Sequence, residues 1–91
     1  NLPTWYKKLD IIGYSYYRPV ANKPNATPDE TKAFIETQVA DMKRLSESVG
    51  RPLLMTESGT MSRKGGTLKP GNWRDPGEYD GEEQARYMEA I

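Results

Sequence analysis

The chain of 91 residues contains neither cysteine nor histidine. Without cysteine there is no disulfide framework, no thiolate nucleophile and no cysteine-based metal site. Without histidine, a Ser-His-Asp triad, a Cys-His dyad, a histidine-ligated zinc and a histidine general base are all excluded within this chain. Acid and base chemistry therefore falls to carboxylates, lysine or tyrosine. An excess of charge is lacking too: 13 Lys and Arg balance 13 Asp and Glu. A neutral chain has no electrostatic footprint for nucleic acid or an anionic membrane. No run approaches the ~18 apolar residues of a membrane span, and the segment from Asn1 to Trp5 has neither the basic end nor the apolar run of a signal peptide. Hydrophobic residues make up 35% and the mean hydropathy is -0.87, which is thin for a large self-contained core, so the chain is expected to be a portion of a larger domain. Nothing in it points to a metal or an organic cofactor, and localisation stays open.

What is present reads as strand, helix, strand, helix. Leu9 to Tyr17 is rich in β-branched and aromatic residues and runs into Arg18-Pro19, as a strand broken by proline does. Turn formers fill Ala21 to Pro28. Thr27-Pro28-Asp29-Glu30 supplies an N-cap, a proline at the first helical position and a capping-box glutamate. Phe34, Ile35, Val39, Met42, Leu45 and Val49 then recur at helical spacing until Gly50. Leu53 to Glu57 is a short apolar run of the kind buried on both faces of a parallel sheet. Ser58 to Tyr79 carries five glycines and two prolines, Pro70 and Pro76. So long a connection without regular structure is expected to be functional. Asp80-Gly81-Glu82-Glu83 opens a last helix with Ala85, Met88 and Ile91 on one face.

This order implies a parallel pair joined by a crossover helix, and parallel strands belong to larger sheets covered by helices. No GxGxxG or Walker-type pattern occurs, and Gly65-Gly66 sits in mid-loop rather than after a strand. Arg63, Lys64 and Lys69 therefore read as a solvated basic loop. The fold class expected is α/β, a partial (β/α)8 barrel incomplete at both ends.

In such folds functional groups lie at the C-terminal ends of strands, here Ser15 to Arg18 and Thr56 to Gly59. Glu57 leaves an apolar strand for a cleft, which fixes its direction and lets neighbours tune it; the alternative is a strand-end ion pair. Tyr17 shares a face with Ser15, whereas Tyr14 and Tyr16 share the other. A tyrosine hydroxyl beside a catalytic carboxylate would hold it ionised and oriented. Trp73 can either stack on a sugar ring or pin the loop.

Asp10-Ile11-Ile12-Gly13-Tyr14-Ser15-Tyr16-Tyr17-Arg18-Pro19 resembles the sixth strand of clan A glycoside hydrolases, written D-x-I-G-x-x-x-Y. Arg51-Pro52-Leu53-Leu54-Met55-Thr56-Glu57-Ser58-Gly59 resembles their seventh strand, whose glutamate is the nucleophile. Gly59, Ser62, Gly66, Pro70 and Trp73, with Glu83-Gln84-Ala85 and Tyr87, are similar to glycoside hydrolase family 113, which includes endo-β-1,4-mannanases. Gly13 to Tyr17 also resembles the family 53 endo-β-1,4-galactanases. There, however, Arg18 replaces an expected proline, and Thr-Glu-Ser-Gly departs from Glu-Thr-Ala-Tyr-Pro. The resemblance implies strands six and seven of a barrel and a retaining hydrolase acting on an oligo- or polysaccharide. Glu57 would be its nucleophile, Tyr17 a hydrogen-bonding partner, and Trp73, Tyr16 and Arg18 substrate contacts. The acid/base glutamate, which follows an asparagine at the end of strand four, is expected outside this chain. The alternative from another class is a carbohydrate-binding barrel that has lost one carboxylate.

Overall fold

The computed structural model describes residues 3–74 and 77–91; Pro76, one of the two loop prolines, lies outside them. Its elements are a 3₁₀ turn over Thr4–Lys8, strand β1 over Ile12–Tyr16, helix α1 over Pro28–Val49, strand β2 over Leu53–Ser58 and helix α2 over Gly81–Ala90. The two strands pair in parallel, as their separation by a helix requires.

The first strand begins three residues later than its composition suggests. Arg51 is the reason: its Nε donates to the Leu9 carbonyl at 2.7 Å and its Nη2 to the Lys7 carbonyl at 2.7 Å. The chain before Ile12 is thus held as a turn against the α1–β2 junction rather than along β2. No local signal announced the 3₁₀ turn, because its main fastening comes from a residue far along the sequence.

Helix α1 starts as its sequence dictates. The Thr27 hydroxyl accepts from the Glu30 amide, and the Glu30 carboxylate accepts from the Thr27 amide, both at 3.2 Å. Glu30 also pairs with Lys23. At the other end Gly50 takes φ 66° and its amide donates to the Ser46 carbonyl, a left-handed cap that side chains with a Cβ adopt at a cost. The apolar stripe of α1 is only partly covered: none of its residues is buried, and Val39 is 58% exposed. Two strands form a sheet too narrow to shield a stripe of that breadth.

The core lies between the sheet and α2. Tyr16, Val20 and Tyr87 form it, with Tyr14, Ile35, Met55 and Ala90 packed around them. Here α2 departs from expectation. Its buried residues are Glu83 and Tyr87, while Ala85, Met88 and Ile91 face outward. A carboxylate occupies the inner face because backbone donors await it there, as described below. Tyr87 Oη donates to the Tyr16 carbonyl at 3.2 Å and lies 2.6 Å from Ser58 Oγ, which ties α2 to the ends of both strands.

The opposite face of the sheet is open. Leu54 is 54% exposed there, so β2 is covered on one side only within this chain, not on both. No helix among the described residues is long and apolar enough to cross a membrane.

Candidate active site

The site is built on an irregularity in β2. Tyr14 pairs with Met55, but the next residue of β1, Ser15, pairs with Glu57, so Thr56 is an extra residue. Such a bulge re-aims the side chains that follow it. Its geometry has two local supports. Thr56 Oγ1 donates to the Tyr14 carbonyl at 3.1 Å. Its methyl group occupies the space above Gly13, where an added Cβ would stand 3.1 Å from it. Leu53 and Met55 lie on the helical side with Tyr14, whereas Glu57 is delivered to the open face beside Ser15. Regular alternation from Met55 would have turned Glu57 toward the helices.

On that open face Ser15 Oγ donates to Glu57 Oε2 at 2.8 Å. The Tyr17 hydroxyl stands near enough to the same carboxylate to favour its charged form. Hydrogen bonds to the charged form stabilise it. The Ser15 bond, followed by the Tyr17 hydroxyl, holds the Glu57 carboxyl below the usual carboxylate range, with a smaller opposing push from desolvation. The Tyr17 phenol is raised correspondingly, chiefly by Glu57. No Lys or Arg is needed for this, so the strand-end ion pair is not what the geometry supplies. The arrangement yields an ionised, directed and accessible carboxylate, as a nucleophile or an electrostatic stabiliser requires.

Trp73 joins the group from the long connection. Its ring meets Tyr17 edge to face at 5.7 Å and stays 51% exposed. Glu57, Ser15, Tyr17 and Trp73 are therefore brought together. Two other residues expected near substrate are not among them. Tyr16 is buried on the helical side with Val20 and Tyr87, where burial raises its phenol. Arg18 reaches away toward α1, with Nη1 donating to Gln38 at 3.4 Å.

The described part of the connection, residues 59–74 and 77–79, is fastened by hydrogen bonds, and its basic residues are not uniformly solvated. Arg63 is buried, and its guanidinium donates to the carbonyls of Lys64 and Lys69 at 3.1 and 3.0 Å. Arg63 and Tyr79 form an antiparallel bridge. Lys64 is exposed and pairs with Glu78 at 2.9 Å. The amides of Gly65 and Thr67 point at the buried Glu83 carboxylate. Those amides resemble an anion-binding turn, but a carboxylate of the protein itself fills it, so it is no phosphate loop. Sequence reasoning gave Ser15 no role beyond its place at the strand end, and gave Glu83 none beyond opening a helix. The shared face of Ser15 and Tyr17 was the available signal for the first, while Glu83 gave none beyond its place in a helical first turn.

Comparison with known proteins returns one family. Residues 1–91 match the model of Glycoside Hydrolase Family 113. No curated protein and no solved structure matches the chain. The match extends over the full length described above, from the first strand through the Glu57 strand end to the Tyr87 helix. The chain belongs to glycoside hydrolase family 113.

Proposed function

We propose that Glu57 is the nucleophile of a retaining hydrolase acting on β-linked, β-mannan-like polysaccharide, and that β1 and β2 with their helices are the sixth and seventh units of a (β/α)8 barrel. The observation that carries the first part is the Glu57 carboxylate itself, held ionised by Ser15 and Tyr17 at a strand end on an accessible face. The second part is supported by that face, where exposed Leu54 lies on the same side as Glu57. In a closed barrel such a residue packs against neighbouring strands and the strand-end carboxylate opens onto the cleft.

The chemistry follows double displacement. Glu57 attacks the anomeric carbon, forming a carboxylate–sugar bond as the glycosidic bond breaks. The leaving oxygen takes a proton from a second carboxyl group about 5–5.5 Å away. That group then accepts a proton from water as the water attacks the same carbon, and Glu57 departs as a carboxylate. Tyr17 and Ser15 keep Glu57 charged and aimed, and Trp73 offers a ring face to a pyranose. Tyr16 and Arg18 support the strand from its helical side.

Glu57→Gln in the complete enzyme is expected to lower kcat by at least about a thousandfold while leaving oligosaccharide binding in calorimetry nearly unchanged. Near wild-type turnover would overturn the assignment. The pH profile sharpens it. Removing the Ser15 donor destabilises the charged form of Glu57, so its pKa rises. In Ser15→Ala the acid limb of kcat/KM therefore moves to higher pH, and activity at acidic pH falls first.

A further inference from the structure

Glu83 lies beneath the connection between β2 and α2, 7% exposed. Every bond that its carboxylate makes to the connection is to a donor there. Oε1 accepts from the Gly65 amide at 3.0 Å; Oε2 accepts from the Thr67 amide and the Thr67 hydroxyl, each at 2.8 Å. Its own amide is fixed by Asp80 Oδ1 at 2.9 Å. With both oxygens engaged and the group covered, Glu83 is not placed to exchange protons with a substrate. It is placed to hold a loop.

What it holds leads to the cleft. The Thr67 carbonyl accepts from the Val20 amide at 2.9 Å, which fastens the turn to the chain leaving β1. The Gly65 carbonyl accepts from the amides of Leu68 and Lys69, and the Lys69 carbonyl accepts from Asn72. This run of turns ends one residue before Trp73, whose ring stands against Tyr17. Gly66 can pass through the middle only because it lacks a side chain: an added Cβ would lie 3.0 Å from the Met61 carbonyl and 3.2 Å from that of Arg63.

We propose that Glu83 is a positioning residue that, by gripping Gly65 and Thr67, sets Trp73 beside Tyr17 and Glu57 and so governs affinity for extended sugar chains. The inference rests on the glycosidase reading of Glu57. The distinction it predicts lies between substrates. An aryl β-glycoside with a good leaving group engages mainly the Glu57 centre, whereas a β-1,4-linked manno-oligosaccharide also uses the Trp73 side.

In the complete enzyme, Glu83→Gln is expected to raise KM for the oligosaccharide roughly tenfold while kcat on the aryl glycoside stays within about twofold. Thr67→Val, which removes one donor and keeps both amides, is expected to raise the same KM roughly threefold. It decides the matter if Glu83→Gln does not fold. Trp73→Ala should raise this KM as well, and adding Glu83→Gln to it should change little further. Tryptic cleavage after Lys64, next to the Gly65 amide that Glu83 holds, should quicken in Glu83→Gln. Faster cleavage with unchanged oligosaccharide KM overturns the proposal, as does an equal loss on both substrates or full additivity with Trp73→Ala. Failure of the underlying reading looks different: Glu57→Gln would remain active whatever Glu83 does.

Discussion

The two strand-to-helix connections of this chain are built on opposite plans. The one after β1 reaches α1 through turn formers and ends in a self-contained cap, where Thr27 and Glu30 satisfy one another across three residues. The one after β2 is twice as long and leans on distant side chains. One of its buried hydroxyls, Thr60, donates to the Gly66 carbonyl at 2.9 Å, Gln84 Nε2 donates to the Thr60 carbonyl at 2.9 Å, and Glu83 gathers Gly65 and Thr67. Both deliver a helix to the same sheet. Local hydrogen bonding suffices when the loop only has to turn. Buried polar contacts from the following helix are used when the loop must also present a side chain, Trp73, at a fixed place.

That contrast can be broken at its strongest point first. Gly66→Ala drives a methyl group toward two backbone carbonyls that cannot swing aside, so the long connection must distort. A loss of ~1–3 kcal/mol in the unfolding free energy of the intact protein, read from a lowered denaturant midpoint, is expected, with a raised oligosaccharide KM beside it. The short connection should give way less. Thr27→Ala leaves the Glu30 amide without its cap and is expected to cost ~1 kcal/mol, while oligosaccharide KM holds at the wild-type value. If Thr27→Ala disturbs sugar binding as much as Gly66→Ala does, the division of labour between the two connections is wrong.

The same contrast explains what could be read from the sequence. Strand, helix, strand and helix were legible, as were the capping box at Thr27 and the Gly50 stop, because each is written in neighbouring residues. Glu57 stood out from its place at the end of an apolar run, and the odd spacing of Ser15 and Tyr17 put both on one face of β1; the bulge that brings Glu57 to that face was not legible. The long connection was legible in composition alone. Arg63 looked like one of three solvated cations, yet it is buried under carbonyls contributed by its own loop. Glu83 looked like a helix-dipole acid, yet its partners lie 16 and 18 residues earlier. The outward face of α2 was misjudged for the same cause: hydrophobic periodicity has no means of foreseeing a carboxylate that turns inward to meet amides. Family membership, by contrast, was legible in the motifs around Gly13 and Glu57.

The extra residue at Thr56 gives β2 a change of parity. Counting by twos from Leu53 sorts its side chains correctly as far as Met55 and wrongly at Glu57, because one step has been added between them. The chemical end of the strand and its packing end are thereby uncoupled. The hydrophobic half can keep its phase against the helices while the carboxylate half keeps the opposite phase. In a strand with that offset, adding or removing a single residue near Thr56 exchanges inside for outside.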